Sequence, residues 1–135
     1  MTKNVASIWK RNQERPQFLI DFTYQNERAI LSVVSSDDGL FLGGVSGKIW
    51  FYDGIRIKEI YQFTNAGVLK PVSALCIHQF AHENIPYIYA GSSNDTSLFR
   101  AELAEAQYGN TWEAVGDLSN PGVNCMASAF NKLFL

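Results

Sequence analysis

Short apolar stretches alternate with clusters of Gly, Asn, Asp and Ser along this chain, and that punctuation predicts strands almost throughout. The clearest run is Ala29–Phe63, AILSVVSSDDGLFLGGVSGKIWFYDGIRIKEIYQF. It predicts four strands in succession, at Ala29–Ser35, Leu40–Gly43, Lys48–Tyr52 and Arg56–Phe63. Polar turns at Ser36-Asp37-Asp38-Gly39, Gly44-Val45-Ser46-Gly47 and Asp53-Gly54 join them, with residue types that tolerate tight backbone angles. The one helix-like stretch, Ala101–Gln107, is too short to be stable alone, and is expected to be the end of a strand followed by a longer loop.

The pattern repeats. The doublet Ile49-Trp50, an aliphatic residue before a large aromatic one, recurs as Ile8-Trp9 and Leu98-Phe99, at spacings of 41 and 49 residues. Leu40-Phe41-Leu42-Gly43-Gly44 matches Tyr87-Ile88-Tyr89-Ala90-Gly91, and Leu133-Phe134-Leu135 matches again. First strands are expected at Ala29–Ser35, Val72–His78 and Val123–Ala129, and fourth strands at Phe18–Phe22, Arg56–Phe63 and Thr111–Leu118. A period in the forties with four strands in each period points to an all-β fold of β-propeller blades.

Within one domain over residues 1–135, residues 1–22 would supply the third and fourth strands of a blade. Residues 29–63 and 72–118 would be two complete blades, and 123–135 the first and second strands of the blade that 1–22 finish. Three blades are too few to close a ring, so the expected assembly is a head-to-tail homodimer of six blades, or the chain is part of a longer propeller.

Composition narrows the function classes. The chain is 47% hydrophobic, enough for a packed core, and its formal charge of -2 gives no electrostatic footprint for nucleic acid. No stretch approaches the roughly 20 apolar residues of a membrane span. The first residues, MTKNVASIWKRNQ, lack the apolar run of a signal peptide, so synthesis in the cytoplasm is expected. Cys76 and Cys125 both fall in predicted apolar strands and are expected to be buried thiols.

Two short stretches carry resemblances. Tyr108-Gly109-Asn110-Thr111-Trp112 resembles the second half of the Asp-box hairpin of sialidase-like propellers; Gly109, Thr111 and Trp112 match, while Glu105 and Gln107 stand at the Ser and Asp positions. In that family the box is a structural turn, so the likeness implies the fold and not the chemistry. Gly47–Gly54, GKIWFYDG, resembles repeat strands of propellers in phage tail and bacterial surface proteins. It implies a non-enzymatic binding or assembly role in a tail, virion or surface structure.

Candidate sites follow from residue type. Trp9, Trp50 and Phe99 are equivalent and serve either as packing between blades or, with Tyr52 and Trp112, as aromatic platforms for sugars; a glycan-binding lectin is the alternative function. His78, His82 and Glu83 form H-x-x-x-H-E in a long hairpin, which reads as a partner-contacting loop and not as zinc ligands. Asp37 and Asp38 read as turn formers; Ca²⁺ would need about six to eight oxygens. No cofactor, metal or catalytic residue is assigned. No nucleophile elbow or phosphate loop is present, and the five arginines fall at unrelated positions, which leaves a fragment of a catalytic propeller as the third reading.

Overall fold

A computed structural model describes residues 27–65, 67–117 and 122–135. The predicted N-terminal strands, with Trp9 and Phe18–Phe22, lie outside the described residues. The first sheet is an antiparallel meander of β1 (Ile30–Ser36), β2 (Gly39–Gly44), β3 (Lys48–Tyr52) and β4 (Ile57–Gln62). A small ribbon of β5 (Thr64–Asn65) and β6 (Val68–Leu69) follows. The second meander is β7 (Ala74–His78), β8 (Tyr87–Gly91), β9 (Ser97–Glu102) and β10 (Glu113–Asp117). One helical turn, α1 (Leu103–Ala106), interrupts the β9–β10 connection. The hairpin of β11 (Ala127–Ala129) and β12 (Lys132–Phe134) comes last. The fold is all-β, built of four-stranded antiparallel sheets.

The two sheets stack face to face. Alternation along the strands puts Val34, Phe41, Phe51 and Ile49 on the side of the first sheet that faces the second, which answers with Leu75, Ile77, Ile88, Ala90, Phe99 and Ala101. β1 runs beside β7, and β11 runs beside β7 on the opposite side of the second sheet. Successive units therefore stack with their first strands together.

A pair of glycines sets the close approach of each unit to the next. A Cβ on Gly43 would clash with Val72, and one on Gly91 would come 2.9 Å from Val123 Cβ. Val72 N donates to Gly44 O at 3.0 Å, and Val123 N donates to Ser92 O at 2.8 Å. Gly43 thus corresponds to Gly91, not to Ala90, and the second-strand alignment expected from sequence is corrected by one residue. With that correction Leu42↔Trp50 and Ala90↔Phe99 are the same cross-strand pair, so Trp50 and Phe99 occupy the same register position.

Other expectations change as well. Ala101–Gln107 holds a helical turn, because the helix formers Leu103, Ala104, Glu105 and Ala106 follow directly on the strand and Ala106 packs into the core. Only Ala127–Ala129 of Val123–Ala129 is strand; Val123 is buried as an anchor outside it. Cys125 lies outside any strand and is exposed, while Cys76 is buried in β7. Among the described residues no helix is long and apolar enough to cross a membrane.

Candidate functional site

The polar side chains of the second sheet gather on the face turned away from the first. Tyr89 and Arg100 are cross-strand partners there, and the Arg100 guanidinium lies over the Tyr87 ring at 4.0 Å. Its Nη1 donates to Glu83 Oε2 at 2.9 Å and to Tyr89 Oη at 3.3 Å. Glu113 completes the cluster, an ion pair at 3.6 Å from Arg100 Nε that is too long for a hydrogen bond. Burial works against the charge on Arg100, but hydrogen bonds to Tyr89 and Glu83 outweigh it and hold the group above its ordinary range. Burial pushes the Tyr89 phenol up.

The hairpin closes over the β7 side of this face. His78 is buried, and its Nδ1 lies 2.6 Å from Ser128 Oγ of β11. Its Nε2 has no hydrogen-bond partner among the described residues. The Phe80 ring meets His78 edge-on at 4.2 Å and stacks with exposed His82 at 5.9 Å, so an aromatic ring stands between the two histidines. Ala81 N donates to Asn131 Oδ1 at 2.7 Å, which ties the long β7–β8 loop to the hairpin turn. Glu83 accepts from Phe80 N at 3.0 Å and holds the loop against Arg100. Among the described residues no group of three His, Cys, Asp or Glu side chains could hold a metal ion.

The aromatic candidates are divided between two surroundings. Trp50 is 2% exposed, and its indole N–H donates to Glu27 Oε1 at 2.8 Å. The same buried carboxylate accepts from Ser46 Oγ at 2.7 Å and lies against Gly44, where a Cβ would meet it. Phe99 packs edge-on to Phe63 at 4.5 Å, and Trp112 stacks on Tyr61 at 4.9 Å, both within the joint between the sheets. Tyr52 is half-buried and donates to Gly54 O at 2.9 Å. Trp9 lies outside the described residues. Trp50, Phe99 and Trp112 thus hold structure together and do not present open ring faces.

A groove of about 280 Å³ opens between the β1–β2 turn and α1, lined by Asp37, Asp38, Pro86, Glu102, Leu103 and Glu105. Gln107 Nε2 donates to Asp38 Oδ2 at 3.2 Å and links its walls. Sequence reasoning named the turn carboxylates but missed Arg100, Tyr87 and Glu27. For Arg100 there was a signal: a charged residue at the centre of Ser97–Glu102, an otherwise strand-like run. Glu27 precedes β1 and carries none. No family model matches the chain, and no curated protein or solved structure matches it.

Proposed function

We propose that the chain is a non-enzymatic assembly module built from β-propeller blades, which docks on other chains by stacking sheet on sheet. The observation that carries this reading is the order of stacking: β1, β7 and β11 lie side by side, and each new unit is seated by an equivalent valine, Val72 or Val123. A fan of sheets with their first strands innermost is how propeller blades pack. The polar side chains support a scaffold role, since Arg100, His78 and Glu27 are each committed to a neighbouring element. Residues 1–22 would complete, from another copy, the sheet that β11 and β12 begin; that part rests on the match of Ser7-Ile8-Trp9 to Lys48-Ile49-Trp50. The likeness of Gly47–Gly54 to tail and surface repeats supports a tail, virion or surface setting.

Light scattering on the purified 135-residue chain tests the reading. A mass of two chains, unchanged on dilution through the micromolar range, is expected. A single-chain mass at every concentration would remove the assembly role.

A further inference from the structure

The two sheets close their hairpins differently at the end where the first strand turns into the second. In the first sheet Asp37-Asp38 joins β1 to β2, and residues 53–56 join β3 to β4. In the second sheet the corresponding connections are residues 79–86 and 103–112, the latter holding α1. Hairpins in general close with about two to five residues. Both longer connections send residues to one place, the groove of about 280 Å³ beside the β1–β2 turn. Leu103 N donates to Pro86 O at 3.1 Å and ties the two connections together. Asn110 holds the loop that follows α1: its main-chain N–H donates to Glu105 O at 3.2 Å, and its Nδ2 donates to Glu105 Oε1 at 3.1 Å. The groove is therefore built by the fold before anything enters it.

Two chemistries line it. Its surface is mostly apolar, and Ile85, Pro86 and Leu103 contribute to that part. Asp37, Asp38, Glu102 and Glu105 stand around it, and no lining residue is Lys or Arg. None of these carboxylates joins an ion pair among the described residues. The Asp38 and Glu105 carboxylates accept from the amides of Gln107 and Asn110, which carry no charge. Negative charge is thus left uncompensated around an apolar surface, where a cation would be attracted. The carboxylates do not converge, since no three of them could hold one metal ion. Their complement is positive charge spaced on either side of an apolar group.

We propose that the groove docks a segment of a partner protein in which an aliphatic side chain is flanked by Lys or Arg. The aliphatic side chain lies against Ile85, Pro86 and Leu103, and the flanking cations pair with the surrounding carboxylates. Burial of the apolar side chain supplies affinity, and the charges select a basic segment over an acidic one and speed the encounter. The volume suits a side chain and not a whole sheet face. The site is independent of sheet-on-sheet stacking, because it lies among the loops at the ends of the strands.

An NMR titration of the isotope-labelled 135-residue chain with the peptide acetyl-Gly-Arg-Leu-Arg-Gly-amide tests this. Shift changes are expected at the main-chain amides of Asp37, Asp38, Leu103 and Glu105. Asp37→Asn/Glu102→Gln keeps side-chain size, removes two charges, and should weaken binding by about tenfold. Ile85→Lys places a cation in the groove at an exposed position, and should abolish binding with unchanged circular dichroism. Peptides with Ser in place of Leu, or Glu in place of Arg, should not bind. Equal binding of the Ser peptide would reduce the site to bare counter-charge and overturn the proposal. Shift changes confined to other regions, or none at millimolar peptide, would overturn it as well. A chain that is monomeric in light scattering yet binds the peptide would uphold the groove while removing the assembly reading; a dimer that ignores the peptide would do the reverse.

Discussion

The joint between the first and second sheets and the joint between the second sheet and the hairpin share a backbone plan and differ in chemistry. In both, a serine hydroxyl donates to the carbonyl of the anchoring valine: Ser32 Oγ to Val72 O at 2.9 Å, and Ser73 Oγ to Val123 O at 2.6 Å. In both, a valine sits over a glycine. The side chains at matching positions are another matter. The first joint places Val34, Phe41 and Phe51 where the second places Cys76, Tyr89 and Arg100. Even the local packing is transposed: Phe51 fills the space over Gly39, and the Arg100 guanidinium lies over Tyr87 at the matching site. Stacking is thus set by main-chain register, and each joint is left to tune its strength and its wetness through a few side chains.

The largest effect should come from the dry joint. Phe41 lies 4.8 Å from Phe51, ring to ring, with Leu75 and Ile49 in the same cluster. Phe41→Ala should cost about 3–5 kcal/mol in denaturant unfolding, since it removes a buried ring and leaves a cavity. A loss under about 1 kcal/mol would show that the joint is loosely packed, and the contrast between the joints would lose its basis.

Arg100→Ala should cost less, about 1–3 kcal/mol, because it strands the mostly buried Glu83 carboxylate without its cation. The informative variant removes both partners. Arg100→Met with Glu83→Gln makes the second joint resemble the first, and should recover most of that loss. If the pair of substitutions costs as much as the sum of the two alone, Arg100 and Glu83 are not coupled and the ion pair is not what holds the second joint.

Alkali should find the second joint first. Burial holds the Cys76 thiol above its ordinary 9.0, and the Tyr89 phenol above 10.0. The unfolded chain loses these protons at the ordinary values while the fold keeps them to higher pH. Their contribution to stability is therefore full below about 9 and is lost as pH rises through the folded values. Tyr61, raised by burial in the first joint, adds a fall of the same sign from 10.0 upward. Cys76→Ala should delay the onset by removing the earliest group, leaving only the tyrosine part; an unchanged onset would place the sensitive group elsewhere.

These contrasts bear on what a sequence can say. Strand positions in Ala29–Phe63 were legible because apolar runs and turn residues alternate at short range. The equivalence of Trp50 and Phe99 was legible from a doublet of residue types. The offset between Gly43 and Gly91 was not, because Gly-Gly and Ala-Gly look alike until Val72 and Val123 show which residue must lack a side chain. The role of Trp50 was also hidden: its partner Glu27 lies 23 residues away, and no local pattern links a lone carboxylate to an indole N–H. Cys125 was misplaced because Val123–Ala129 is apolar enough for a strand, yet its first half runs as an anchor without a ladder. Local rules locate elements, and burial of a particular side chain depends on which sheet faces it.

The smallest expected effect concerns the two turns. Asp37-Asp38 closes β1–β2 with neither residue at positive φ, whereas Phe130 and Asn131 both adopt positive φ, 52° and 59°. Asparagine tolerates that region; a bulky aromatic does so at a cost, and hairpins of this geometry favour Asn, Asp or Gly. Phe130 gains nothing from burial to offset the strain, because it is almost fully exposed. Phe130→Asn should therefore raise stability, by about 1 kcal/mol, as read from a shifted denaturant midpoint at unchanged slope. Loss of stability instead would mean that the Phe130 ring packs on another surface in solution. A gain would mark the turn as a strained tip whose ring does no packing.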